Sequence, residues 1–207
     1  MSSEISISSI RTVSVSPQGI SIVKHNSGNE RAFICGSIVM PSFRKDTELP
    51  GIACVVAVME SGHVFMLNMF SFRQYDFPLA EFFNENYNQY KLDQYVVIQT
   101  RDDDLETVRF WREMAKRQYR KMDKIYPLIR KITISNDTQA FTPLISYASG
   151  NKLHFESPIL KNAVGQYDPE RPFFDAPNEI QALCLALVFA SQRAWSAFES
   201  DRLERLN

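Results

Sequence analysis

Glycine is scarce in this chain, seven in 207 residues, and the seven nowhere form G-x-G-x-x-G or a P-loop. A backbone cradle for nucleotide phosphates is therefore not expected. Histidine is scarcer still: His25, His63 and His154 are the whole set, and none has a second ligand at a spacing such as H-E-x-x-H. His25 and His63 fall at predicted turns and His154 in a predicted strand, so each reads as a surface histidine. No G-x-S-x-G elbow occurs. The three cysteines, Cys35, Cys54 and Cys184, are an odd number, and each lies inside an apolar run (FICGSIVM, IACVVAVM, ALCLALVF). Cysteine in such a setting packs as a small hydrophobe, which predicts a reducing compartment and no disulfide framework. Long apolar runs are also missing. ALCLALVFA, residues 182–190, is far short of the roughly 20 residues that cross a bilayer. The opening MSSEISISSIRTVSVS lacks the basic start and continuous apolar stretch of a signal peptide. A cytoplasmic protein with no membrane contact is expected.

What is present is ordinary in bulk: 44% hydrophobic residues, 23% charged, and 15 Phe. A chain of this length buries roughly 70% of its unfolded surface and needs no staples. The expected fold class is α+β, residues 1–207 forming a single domain. An antiparallel sheet of about six to eight mostly N-terminal strands would pack against one short and two long helices.

The first 75 residues are sheet-rich in pattern. Ile5/Ile7, Val13/Val15 and Ile20/Ile22 alternate with serine, the period of half-buried strands. Pro17-Gln18-Gly19 and Asn26-Ser27-Gly28-Asn29 supply turn chemistry. Residues 31–40 read as a more apolar strand and 43–51 as a polar loop. IACVVAVME and VFMLNMFSF, joined through Ser61-Gly62-His63, predict a central hairpin covered on both faces. Asp76-Phe77-Pro78 opens a predicted helix over 78–90, and QYVVIQ, residues 94–99, predicts a short strand. A second helix is predicted over about 101–126, capped by Thr100 and Asp103 and stopped near Pro127. KITIS, PLISYAS and KLHFES read as strands, residues 157–177 as an irregular loop, and 177–204 as the last helix.

The most unusual stretch is RFWREMAKRQYRKMDKIYPLIRK, residues 109–131. At 100° per residue, Val108, Trp111, Ala115, Gln118, Met122, Ile125 and Ile129 share one side. Arg109, Arg112, Lys116, Arg117, Arg120, Lys121 and Lys124 fall opposite. Nine Lys or Arg against two acids give this stretch +7, so the rest of a chain whose net charge is −1 carries −8. A solvated helix face is the ordinary reading of such a run. Solvated faces usually mix signs, however, because like charges three and four apart destabilise a helix by a few tenths of a kcal/mol per pair. The alternatives are a nucleic-acid backbone, for which Arg gives bidentate and Lys point-charge contacts, or an acidic protein surface, including another copy of the chain. No base-reading motif is present, so nucleic-acid binding would be backbone-led. The leading expectation is a non-enzymatic protein docking nucleic acid through these seven cations.

Three other features bear on function. Asp102, Asp103, Asp104 and Glu106 could hold Mg²⁺, although a helix first turn attracts the same residues. They support at most a metal-dependent enzyme, and no cofactor is expected. Cys54 and His63 could meet as nucleophile and base, but their context is core and loop. In the loop 162–177, Tyr167, Arg171, Phe173 and Phe174 are the residue types that anchor interfaces. They suggest a protein-interaction or assembly subunit, unless the two phenylalanines tuck into the core. Ala182–Ala190 is apolar all round, the mark of a helix buried on every side. The stripe continued by Trp195 and Phe198 belongs to the core or, buried against a twin chain, makes a homodimer.

Overall fold

The computed structural model describes residues 7, 10–25, 28–44, 47–73, 78–92, 94–98, 128–166 and 172–204. The strands are β1 (Arg11–Val15), β2 (Ile20–His25), β3 (Gly28–Val39), β4 (Ser42–Arg44), β5 (Thr47–Leu49), β6 (Gly51–Met59), β7 (Val64–Phe72), β8 (Gln94–Ile98), β9 (Leu128–Ile132) and β10 (Leu153–His154). The helices are α1 (Pro78–Tyr90), α2 (Asp137–Ser149), α3 (Pro158–Gln166) and α4 (Asn178–Glu204), with a 3-10 turn at Phe173–Asp175. The class is α+β, as the pattern predicted.

The sheet has eight strands and is mixed. β1-β2-β3-β6-β7 are antiparallel neighbours, β8 pairs parallel with β3, β9 parallel with β8, and β10 parallel with β7. β6 lies at its centre and every one of its nine residues is buried. Side chains alternate across a strand, so Ile52, Cys54, Val56 and Val58 enter the core that includes Leu183, Leu185 and Leu187 of α4. Ala53, Val55, Ala57 and Met59 enter the opposite core with Phe82, Phe83 and Tyr90 of α1. A sheet apolar on both faces must be covered on both, and α4 and α1 do so. Tyr95 fits beside β3 because position 36 is glycine: a Cβ there would lie 2.3 Å from Tyr95 Cδ1.

Several local expectations are corrected. Residues 43–51 were expected as loop, but Ser42 pairs with Leu49 and Arg44 with Thr47 in a small two-stranded sheet. Ile7 sits in a turn, with the Ile10 N–H donating to its carbonyl, rather than in a strand. KITIS was expected as a strand, but β9 begins earlier, at Leu128, directly after Pro127. PLISYAS is not a strand: it lies in α2. There Asn136 Oδ1 accepts the Gln139 N–H and Gln139 Oε1 accepts the Ser135 N–H, both at 2.8 Å, a reciprocal arrangement close to a capping box. That cap fixes a helix start despite Pro143 in the interior. KLHFES contributes only the two-residue β10. Residues 157–177 are not irregular throughout, because Pro158 opens α3. Proline is pre-organised for that first position, and the preceding Ser157 Oγ accepts the Leu160 N–H. The predicted helix over 101–126 lies outside the described residues.

Candidate functional site

β8 and β9 run side by side and in the same direction, Gln94 opposite Leu128 through Ile98 opposite Ile132. Parallel neighbours cannot be joined by a tight turn and need a dozen or more connecting residues. The cationic stretch falls in that connection up to Pro127, and its last two cations, Arg130 and Lys131, belong to β9. Since β3, β8 and β9 are mutually parallel neighbours, Val39, Ile98 and Ile132 end at one edge of the sheet. Arg109, Arg112, Lys116, Arg117, Arg120, Lys121 and Lys124 all lie outside the described residues, as do Asp102, Asp103, Asp104 and Glu106.

Two histidines that the sequence pattern treats as unrelated surface residues meet. His63 Nδ1 and His154 Nε2 are 2.9 Å apart, their ring centroids 5.1 Å apart, and Phe65 stacks on His154 at 4.7 Å. The centroid separation is nearly the N···N distance plus the two ring radii, so the nitrogens point at each other along one line. That is hydrogen-bond geometry, with one ring donating an N–H and the other accepting. A metal would require both lone pairs to converge on a third point. Among the described residues no group of three or more His, Cys, Asp or Glu could hold a metal ion. His63 is not paired with Cys54, which lies opposite Met69 in the β6–β7 register. His25 is not in a turn: it ends β2, buried, with Nε2 3.6 Å from Glu30 Oε2.

The buried polar groups near α4 are engaged by backbone carbonyls. Ser37 Oγ donates to the Ala182 carbonyl at 2.6 Å, Asn178 Nδ2 to that of Pro50 at 2.7 Å, and Gln181 Nε2 to that of Ala176 at 2.8 Å. The first joins the helix to β3 and the second to the residue before β6, while the third holds the helix start on itself. At the other end of α4, Arg31 donates to Asp201 Oδ2 at 2.8 Å, to the Phe198 carbonyl at 3.0 Å and to Glu60 Oε1 at 2.7 Å. Its guanidinium also lies over the Phe198 ring, 5.5 Å from the centroid.

The three cysteines are free and buried, as expected. Burial pushes the Cys184 thiol up to about 12 and raises Cys35 and Cys54 as well. Only a thiolate is a strong nucleophile, so all three are inert near neutrality. Burial also holds the Tyr95 phenol well above its ordinary range, against a smaller opposing pull from Asn86.

Of the residues expected to anchor a partner, Tyr167 and Arg171 lie outside the described residues. Phe173 is a correction: it is fully buried, edge-on to Phe141 at 5.5 Å, and its N–H donates to Asp137 Oδ1. Phe174 keeps 49% of its surface exposed. Among the described residues no helix is long and apolar enough to cross a membrane.

No protein-family model matches the chain. No curated protein matches it either. Among solved structures it is similar to the yeast mitochondrial Holliday junction resolvase Ydc2, at 12% identity and a TM-score of 0.43, over 76% of this chain and 82% of that one. It is also similar to T. thermophilus RuvC in complex with a Holliday junction substrate, at 12% identity and a TM-score of 0.41, over 77% of this chain and 95% of that one. The expectation of a non-enzymatic binding protein conflicts with these neighbours, the first of which is named as a resolvase, and it is withdrawn.

Proposed function

We propose that nucleic acid is the macromolecular partner of this chain, and that its phosphates are met by Arg109, Arg112, Lys116, Arg117, Arg120, Lys121 and Lys124. One observation carries the reading: residues 109–131 hold +7 in a chain of net charge −1. The topology supports it, since these seven cations all belong to the connection that leaves the carboxyl end of β8 and enters β9. Each phosphate neutralised releases counterions, so affinity would fall steeply with salt.

The test is fluorescence anisotropy with labelled duplex, single-stranded and four-way-junction DNA. If seven phosphates are engaged, log K falls against log salt with a slope of about −6, near four orders of magnitude between roughly 50 and 200 mM. Arg112→Glu, Lys116→Glu and Arg120→Glu together should remove binding while the thermal melt stays unchanged. Absence of binding at low salt, or binding that survives the triple reversal, refutes the proposal. The same mixtures with Mg²⁺, resolved on denaturing gels, report whether bound DNA is cut.

A further inference from the structure

The last turns of α4 carry an arrangement that the core does not use. Trp195 is 72% exposed and Leu203 63% exposed. They are separated by eight positions, a little over two helical turns. Glu199 lies midway and Arg202 beside it, both exposed. At 100° per residue these four side chains occupy an arc of about 100°. Ala194, Phe198 and Asp201, all buried, occupy the neighbouring arc, about 120° round the helix from centre to centre. Single exposed apolar residues are commonplace. Two on one stripe, flanking a pair of opposite charges, suit a particular kind of partner.

We infer that this stripe is a self-association surface, whose occupant is the same stripe of a second copy of the chain. A twofold axis perpendicular to α4 and passing near Glu199 sets two such helices antiparallel. Each Trp195 then lies against the other copy's Leu203. Glu199 of each copy approaches the axis with Arg202 three residues to one side, so the centre becomes a neutral quartet of two carboxylates and two guanidiniums. Isologous pairing demands this self-complementarity, a surface that matches itself after rotation. The sequence meets it in both respects, apolar against apolar at the ends and charge against counter-charge in the middle. Two helical turns cover less than the roughly 800 Å² per partner of a standard stable interface. The dimer is therefore weak and reversible, and it forms at high chain concentration.

Sedimentation velocity of the full chain, from roughly 5 to about 300 µM, tests this by mass action. The expected result is a monomer–dimer equilibrium for the wild type and a monomer throughout for Trp195→Lys, with unchanged circular dichroism. Glu199→Arg alone puts four guanidiniums at the axis and should weaken association at least tenfold. Glu199→Arg with Arg202→Glu rebuilds the quartet with its signs exchanged and should restore association to within about threefold of wild type. A wild-type chain monomeric at the highest concentration overturns the proposal. So does dimerisation undiminished by Trp195→Lys, or a charge exchange that fails to restore it.

Discussion

Substituting Gly36 by alanine tests the packing between β3 and β8, through which β8 and β9 join the sheet. The new Cβ would stand 2.3 Å from Tyr95 Cδ1, 2.4 Å from Cε1 and 3.2 Å from the Cys54 carbonyl oxygen. Carbon atoms meet comfortably at about 3.5 Å, so roughly 1 Å of overlap must be relieved. The ring has little room to retreat, being fully buried with Phe83 at 4.9 Å and Phe82 at 6.5 Å. The backbone is held too, since Gly36 is registered against Val55 on one side and Tyr95 on the other. Overpacking in such a core costs about 1–3 kcal/mol, and with both routes of relief blocked the upper end applies. For a chain of this size that lowers the melting temperature by roughly 6–12 °C, measurable by calorimetry or circular dichroism. Tyr95→Leu removes the ring that the methyl strikes. In the double variant the two costs should be less than additive, by about 1 kcal/mol or more. A Gly36→Ala chain within about 0.5 kcal/mol of wild type, or strictly additive costs, would refute the reasoning.

Asp201→Ala removes the buried carboxylate partner of Arg31, which keeps Glu60 and the Phe198 carbonyl, and should cost about 1.5–3 kcal/mol. Glu60→Ala, removing the half-exposed partner of the same arginine, should cost about 1 kcal/mol or less. Urea titrations of the two variants separate these, and equal losses would show that burial does not decide the pair's worth. The thiols give a pH dependence with a definite sign. Their folded-state pKa values are raised by burial, Cys184 to about 12, so at alkaline pH the unfolded chain loses these protons first. Stability is intact below about pH 9 and falls as pH rises towards 12, by about 1.4 kcal/mol per unit for each thiol. Cys184→Ala should flatten part of that slope in chemical denaturation, and an unchanged slope would assign it to other groups.

What the sequence disclosed and what it concealed divide along a physical line. β6 was legible because nine buried residues in a row leave only one kind of strand, and α4 because an all-apolar helix has nowhere to lie but the interior. α2 was concealed because PLISYAS looks like a strand when read from Pro143. Its helix is dictated seven residues earlier, from Asn136, where the Asn136 and Gln139 side chains cap the first turn. The segregation of charge at 109–131 could be counted from residue types. The parallel pairing that places this stretch between β8 and β9 could not, since Leu128 meets Gln94 across a long separation that no local pattern encodes. The histidine pair marks the limit. A two-residue strand has no period, and His154 reaches His63 only because β10 pairs with β7 and the Val64 N–H donates to the Lys152 carbonyl. Spacing rules find ligands that one helix or one loop presents together. Residues brought together by pairing distant strands, or by packing a distant helix on the sheet, announce themselves only through the fold: His63 with His154 is of the first kind, and Arg31 with Asp201 and Ser37 with Ala182 are of the second.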